Sequence, residues 1–139
     1  MTPSGDTAVD VQHAGLPTRC QPKVWGWTKM VFDGGTIQAH RITGVRGGYC
    51  SRHYHDFKHN LFLLIFGRMR VESWDQTGAM SFVDLAPGDV CSIAPPTVHR
   101  FRVLEPCVAI ELYFATHGTV NPDDITRLDV GGIEQSPAK

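Results

Sequence analysis

Short apolar stretches separated by turn residues follow one another from about residue 24 to residue 114. No part of this region shows the sustained 3.6-residue period of an amphipathic helix, although Leu61–Phe66 taken alone is also compatible with a buried helical turn. Glycine pairs and glycine next to proline or aspartate divide the stretches at a spacing that is typical of a β-sandwich or barrel. The pattern predicts strands at Val24–Phe32, Thr36–Thr43, Gly48–His55, Leu61–Phe66, Met69–Trp74, Ala79–Leu85, Asp89–Ala94, Val98–Leu104 and Cys107–Phe114.

The 139 residues are enough for one domain with its own core. We expect a flexible N-terminal arm over residues 1–20, a barrel over residues 21–118 and a C-terminal tail over residues 119–139. Both flanking segments lack periodicity and contain many small polar residues, Gly and Pro. The fold class predicted from the whole chain is therefore all-β.

Charge and cysteine content narrow the class of protein. The net charge is −1, from 13 basic and 14 acidic residues, which gives no electrostatic reason to expect a nucleic acid or a membrane surface as partner. No apolar stretch approaches the roughly 20 residues of a membrane-spanning helix, and the first residues show no signal peptide. The 4 cysteines are far apart and form no Cys-x-x-Cys pair. We therefore expect a reducing, cytoplasmic setting.

Candidate chemistry begins at His53-Tyr54-His55. Side chains at positions i and i+2 of a strand lie on the same face, so the two imidazoles should project together. Neutral imidazole is a common ligand of divalent transition metals. Two neighbouring histidines on a strand are also compatible with a solvent-facing polar pair, and it is His99 downstream that supplies a third potential ligand.

The spacing around these histidines resembles the two motifs of the cupin superfamily. Gly47 is followed by five residues and then by His53-x-His55, and Gly67 ends the next strand, as in the first motif. Gly88 stands eleven positions before His99, as in the second. The resemblance implies a jelly-roll β-barrel (a double-stranded β-helix) with metal ligands converging inside it.

A closer likeness is to the cupin domain of type II phosphomannose isomerases. It is carried by Val24-Trp25-Gly26-Trp27, His53–His59, Thr97–Arg100, Ile110-Glu111 and Asp123–Arg127. Lys58 stands where that family has a glutamate ligand. The likeness implies a sugar or sugar phosphate as substrate, whereas the loss of the glutamate leaves the reaction open.

The candidate site contains metal ligands, a proton-transfer group and substrate-binding groups. The predicted ligands are His53, His55 and His99, with His59 or Asn60 as a fourth, and the cofactor is a divalent transition metal such as Zn, Fe, Ni or Cu. The remaining candidates are Glu111 as acid–base catalyst and Lys58, Arg100, Arg127 and Tyr113 as substrate-binding residues. His13, His40 and His117 have no partners at ligand spacing and are expected on the surface or in loops.

Three classes of function are compatible with these residues. The leading hypothesis is a metal-dependent isomerase of a sugar or sugar phosphate, the second is an oxygenase with a histidine-ligated metal, and the third is a cupin that binds a small molecule without catalysis. The expected partners are a small-molecule ligand and, because single-domain cupins commonly pair, a second copy in a homodimer.

Overall fold

The structure is a computed structural model that describes residues 20–135. The predicted N-terminal arm up to residue 19, His13 included, lies outside the described residues, as do residues 136–139. Every regular element in the described part is a strand. The strands are β1 (Cys20–Lys23), β2 (Gly26–Asp33), β3 (Ile37–Gly44), β4 (Gly48–Tyr49), β5 (His53–Tyr54), β6 (Lys58–Trp74), β7 (Met80–Leu85), β8 (Val90–Ile93), β9 (Val98–Ala115), β10 (Thr126–Arg127) and β11 (Gly132–Ile133).

Two long antiparallel strands organise the sheet. β6 and β9 pair from Lys58 opposite Ala115 to Trp74 opposite Val98. The second half of β9 continues through β3 to β2 and β1, while β7 and β8 pair with the other edge of β6. Because β6 and β9 each pair with different strands along their lengths, the sheet curls on itself and encloses an interior.

β6 joins two strands that the sequence predicts as separate, and Gly67 at the junction forms an irregularity instead of a turn. The register of β6 against β9 shifts around this residue. Gly67 has a φ of 82°, and a Cβ there would lie 2.1 Å from the carbonyl oxygen of Pro106. The strand therefore bends at a residue that only glycine fits, and then continues. β9 likewise joins the two predicted strands Val98–Leu104 and Cys107–Phe114.

Strand alternation sorts the side chains of β6 and β9 into an inner and an outer set. The inner positions in the middle of both strands are apolar and fully buried, as at Phe62, Leu64 and Val103. Trp25 packs its ring edge-to-face on Phe101, with centroids 4.8 Å apart. Burial of aromatic and aliphatic groups of this size is the main source of stability of such a barrel.

Toward one end of these strands the inner positions become polar, at Lys58 and Asn60 on β6 and at Glu111 and Tyr113 on β9. The segment after Thr119, predicted as a tail, lies against this part of the barrel. Its strand β10 pairs with β5, and β11 pairs with β4. Residues 20–135 contain no helix long and apolar enough to cross a membrane.

Candidate metal centre and ligand cavity

Three histidines meet inside the barrel. β5 pairs with β9 so that His53 lies opposite His99, and His55 follows two residues after His53 on the same face. The ring centroids of His53 and His99 are 4.5 Å apart, and those of His55 and His99 are 5.4 Å apart. One potential ligand atom from each ring lies within 4.8 Å of the others. All three side chains are buried.

The Nδ1 atom of each ring lies against a backbone carbonyl. The distances are 2.7 Å from His53 to Ser51, 2.7 Å from His55 to Asp124 and 2.8 Å from His99 to Thr97. A carbonyl oxygen only accepts, so each Nδ1 must carry the proton and donate it. Each Nε2 is then left with a free lone pair, which is the form that binds a metal.

The surroundings of the Nε2 atoms fit a metal ion. Those of His55 and His99 are buried and have no hydrogen-bond partner among the described residues. A buried polar atom without a partner costs free energy, and proteins rarely leave two of them side by side. A divalent transition metal would satisfy them together, and His53, His55 and His99 are the residues that would hold it.

The protonation of the ring nitrogens agrees with this role. Burial, reinforced by repulsion from His99, lowers the pKa of His53 to about 3. Burial also lowers the pKa of His55 to about 4 and that of His99 below its ordinary value. All three rings are therefore neutral at physiological pH.

A cavity of about 410 Å³ adjoins the cluster, and His53 forms part of its wall. Its other polar lining includes Lys58, Glu111, Tyr113 and Arg127. Uncharged polar groups and apolar rings line the cavity as well. These lining residues are Gln21, Thr28 and Gln38 among the polar groups and Trp25 and Phe101 among the rings.

Glu111 is a buried acidic group that lines this cavity. It is 8% exposed, and burial raises its pKa to about 7 even though hydrogen bonds and the charge of Lys58 act in the opposite direction. Its carboxylate accepts a hydrogen bond from Asn60 Nδ2 at 2.9 Å. The nearby Tyr113 side chain acts to lower the pKa of Glu111. A carboxyl that titrates near neutral pH is suited to accept and return a proton.

Lys58 brings a positive charge to the same cavity. Its side chain is 5% exposed, with Nζ 4.3 Å from the centre of the Tyr113 ring and 3.4 Å from the carbonyl oxygen of Asn121. Burial lowers its pKa, while the charges of Asp124 and Glu111 oppose that change. One long contact to a carbonyl leaves donors of the ammonium group free for an anion.

Solved structures of oxalate decarboxylases are similar to this chain in fold. The formate complex of the Lactobacillus farciminis enzyme superposes with a TM-score of 0.67 at 18% sequence identity, over 78% of this chain and 33% of that one. The Bacillus subtilis enzyme at pH 4.6 superposes with a TM-score of 0.67 at 18% identity, over 78% of this chain and 29% of that one. This is an all-β cupin barrel.

The chain spans about a third of the length of those enzymes. No protein-family model matches it, and no curated protein matches it in sequence. The likeness to the phosphomannose isomerase domain rests on sequence motifs alone and stays a prediction.

The fourth-ligand candidate His59 lies outside the histidine cluster. Its ring stacks on Phe114 on the outer face of the sheet, with centroids 4.7 Å apart. In one continuous strand His59 would share the face of His55, but the chain bends at Asp56 and Phe57. The bend resets the alternation, so Lys58 and Asn60 point inward and His59 points outward. Asn60 is buried beside Glu111.

Of the four predicted substrate-binding residues, Lys58, Tyr113 and Arg127 line the cavity, whereas Arg100 does not. Arg100 follows His99 on β9 and therefore faces outward, where its Nε donates to Glu72 at 2.7 Å. Arg102 donates to the same carboxylate at 2.8 Å. This buried charge cluster stabilises the outer face of the cupin barrel and leaves Arg100 no contact with the cavity.

His40, which the sequence predicts on the surface or in a loop, lines the cavity. Its ring lies edge-on to Tyr113, with centroids 5.3 Å apart, and β3 pairs His40 directly with Glu111. Residues opposite each other on neighbouring strands share a face, so the pairing of β3 with β9 would have revealed it. His117, in contrast, is exposed, as predicted.

Proposed function

We propose that this cupin is a metal-dependent enzyme that moves a proton on a small anionic substrate, with aldose–ketose isomerisation of a sugar phosphate as the leading reaction. One observation supports it above the others. Glu111, a buried carboxyl with a pKa of about 7, lines the same cavity as His53, Lys58 and Arg127. A base, a metal-ligand set and two cations around one space are the parts that such a reaction needs.

A divalent metal held by the three histidines would polarise a carbonyl or hydroxyl oxygen of the substrate. Lys58 and Arg127 would bind the phosphate, and Gln21, Thr28 and Gln38 would offer hydrogen bonds to hydroxyl groups. The cavity of about 410 Å³ is within the range that encloses small organic ligands.

Glu111 would carry the proton. In an aldose–ketose isomerisation one proton leaves the carbon next to the carbonyl and returns to the carbonyl carbon, while the hydroxyl proton passes from one of the two substrate oxygens to the other. A single carboxylate can accept and redeliver the carbon-bound proton. The hydrogen bond from Asn60 would orient the carboxylate, and the rings of Trp25 and Phe101 line the cavity with apolar surface.

A second candidate is decarboxylation or oxidation of a small carboxylic acid. It is favoured by the fold shared with oxalate decarboxylases and by a ligand set of neutral imidazoles, which is compatible with redox-active iron or copper. A third candidate, binding of a small anion without catalysis, follows if metal and ligand bind without turnover.

The test starts from elemental analysis of protein purified without added metal. The reconstituted protein is then incubated in D₂O with hexose and pentose phosphates and, separately, with small dicarboxylates, while NMR follows substrate and product. Deuterium incorporation next to the carbonyl that is lost in Glu111→Gln supports the proposal. Turnover of a dicarboxylate with no exchange into sugar phosphates supports the second candidate and overturns the first. The homodimer stays a prediction, which a mass measurement in solution would test.

A further inference from the structure

The three metal-ligand candidates are not held in the same way. His53 and His99 each donate from Nδ1 to the carbonyl two residues before them, at Ser51 and Thr97. His55 instead donates to the carbonyl of Asp124, which is 69 residues away along the chain. The orientation of two rings is therefore set by local backbone, whereas that of His55 depends on a distant segment.

The side chain of Asp124 fixes the position of its own carbonyl. Its carboxylate accepts the backbone N–H groups of Asp56 at 2.7 Å, Phe57 at 3.0 Å and Lys58 at 2.9 Å, which are the three residues after His55. Asp124 is 8% exposed. Burial alone would raise its pKa, but these hydrogen bonds lower it below the ordinary value, so the carboxylate stays ionised.

Residues 52–58, which include His53 and His55, form the ligand loop. Residues 121–131, which we name the clasp, bind this loop at its other end too. Asp129 accepts the backbone N–H of Arg52 at 2.6 Å and its Nε at 3.0 Å. Leu128 donates its N–H to the carbonyl of Arg52 at 2.8 Å, and Arg127 pairs with His53 in the β10–β5 ladder. The clasp therefore holds the loop on both sides of His53 and His55.

We propose that Asp124 is a positioning residue that holds His55 in its metal-binding tautomer and thereby links docking of the clasp to metal binding. With the carboxylate removed, the carbonyl of residue 124 loses its fixed place against His55 Nδ1. The ring is then free to carry its proton on Nε2, the atom that must be unprotonated to bind a metal. Because linkage is reciprocal, a bound metal in turn stabilises the docked clasp.

The proposal rests on the metal site of the proposed function, but its first readout needs no metal. Long-range ¹H–¹⁵N NMR of the imidazoles in metal-free protein reports the tautomer of each ring. We expect the Nδ1–H tautomer for all three rings in the unmodified chain. In Asp124→Ala we expect His55 to populate the Nε2–H tautomer, while His53 and His99 are unchanged and serve as internal controls.

The second readout is metal affinity, measured with Zn²⁺ by competition against a chelator and with Co²⁺ by its visible absorption. Removal of a group that orients a ligand typically weakens binding 10- to 100-fold, and we expect a loss of about that size in Asp124→Ala. Asp123→Ala is the matched control, because Asp123 is the exposed neighbour of Asp124. We expect this control to bind both metals normally.

Asp124→Asn keeps the shape of the side chain and serves if the alanine variant does not fold. We expect an intermediate tautomer shift, since an amide oxygen still accepts some of the N–H groups but without the charge. An unchanged His55 tautomer and unchanged metal affinity in both Asp124 variants would overturn the proposal. A shifted tautomer in a chain that binds no metal at all would uphold the positioning role and overturn the proposed enzyme.

Discussion

Asn60 donates a hydrogen bond from Nδ2 to Oε2 of Glu111 at 2.9 Å, and both side chains are buried. Asn60 occupies one of the two positions at which the first cupin motif has its glutamate. The amide contributes no charge, so it orients the Glu111 carboxylate without holding the pKa low as an arginine would. The inward position that would carry a metal-binding carboxylate thus carries a partner of the base.

Replacement of Glu111 by glutamine should stabilise the metal-free protein at high pH and not at low pH. The pKa of Glu111 is raised from 4.5 to about 7 by burial, so the folded state binds the proton more tightly than the unfolded state. The favourable contribution of protonated Glu111 to the free energy of unfolding is complete below about pH 4.5 and is lost as the pH rises through 7. We expect Glu111→Gln to be more stable by about 2–3 kcal/mol at pH 8 and equal at pH 4.5.

Urea denaturation of chelator-treated protein at both pH values measures this difference. Tyr113→Phe serves as the control for loss of a polar group near the same carboxylate, since it leaves the titrating group in place. A stability gain for Glu111→Gln of equal size at both pH values would contradict the pKa assignment.

Replacement of metal ligands should separate the inner histidines from the outer one. We expect His53→Ala, His55→Ala or His99→Ala to abolish stoichiometric metal binding, because two imidazoles are a poor site for a divalent ion. His59→Ala should bind metal normally, since its ring lies on Phe114 on the outer face. Elemental analysis after dialysis measures the metal content of each variant. Loss of metal in His59→Ala would show that His59 is a ligand.

Replacement of Lys58, a cation that lines the cavity, should weaken the binding of anions. Lys58→Met keeps most of the side-chain volume and removes the charge, so we expect the affinity for inorganic phosphate to fall roughly 10- to 100-fold, the value of one or two charge-assisted hydrogen bonds. Calorimetric titration of metal-loaded protein measures it.

Arg100→Gln is the matched control for this prediction. Arg100 belongs to the outer charge cluster with Glu72, so its replacement should lower stability and leave phosphate affinity as it was. Equal losses of affinity in the two variants would place the anion elsewhere than in the cavity.

Two glycines of the cupin motifs should differ in their tolerance of a side chain. Gly67 and Gly88 have φ values of 82° and 93°, but a Cβ at Gly67 meets the Pro106 carbonyl whereas one at Gly88 meets nothing within 4 Å. We expect Gly88→Ala to cost about 1 kcal/mol from backbone strain alone. Gly67→Ala should cost roughly 3 kcal/mol or more, because backbone must also move. Equal midpoints in urea denaturation would contradict this reading.

The sequence predicts correctly those parts of the site that depend on the alternation of side chains along a strand. The period of two placed His53 with His55 on one face, and the spacing of the two motifs brought His99 to them. The sequence predicts that a strand ends at Gly67, because glycine has the same local signature at a strand end and in a strand irregularity. Which of the two forms depends on the pairing with β9, which no local pattern contains.

The assignments that sequence reasoning missed depend on contacts between distant parts of the chain. His59 stands at one of the two spacings at which the first cupin motif has its glutamate, which predicts a ligand. The bend at Asp56 and Phe57 instead turns its ring onto Phe114 on the outer face. Asp124 entered only through a family likeness, because its three N–H partners lie 66 to 68 residues earlier in the chain.

The clasp also has a consequence for the order in which the site is made. A ribosome delivers the three histidines before it delivers Asp124, and a nascent chain can fold what has already emerged. A chain that has reached residue 118 possesses every metal ligand, but His55 has not yet received the carbonyl that sets its proton. With Asp124 in its proposed role, we expect tight metal binding only after residue 124 has emerged and the clasp has docked.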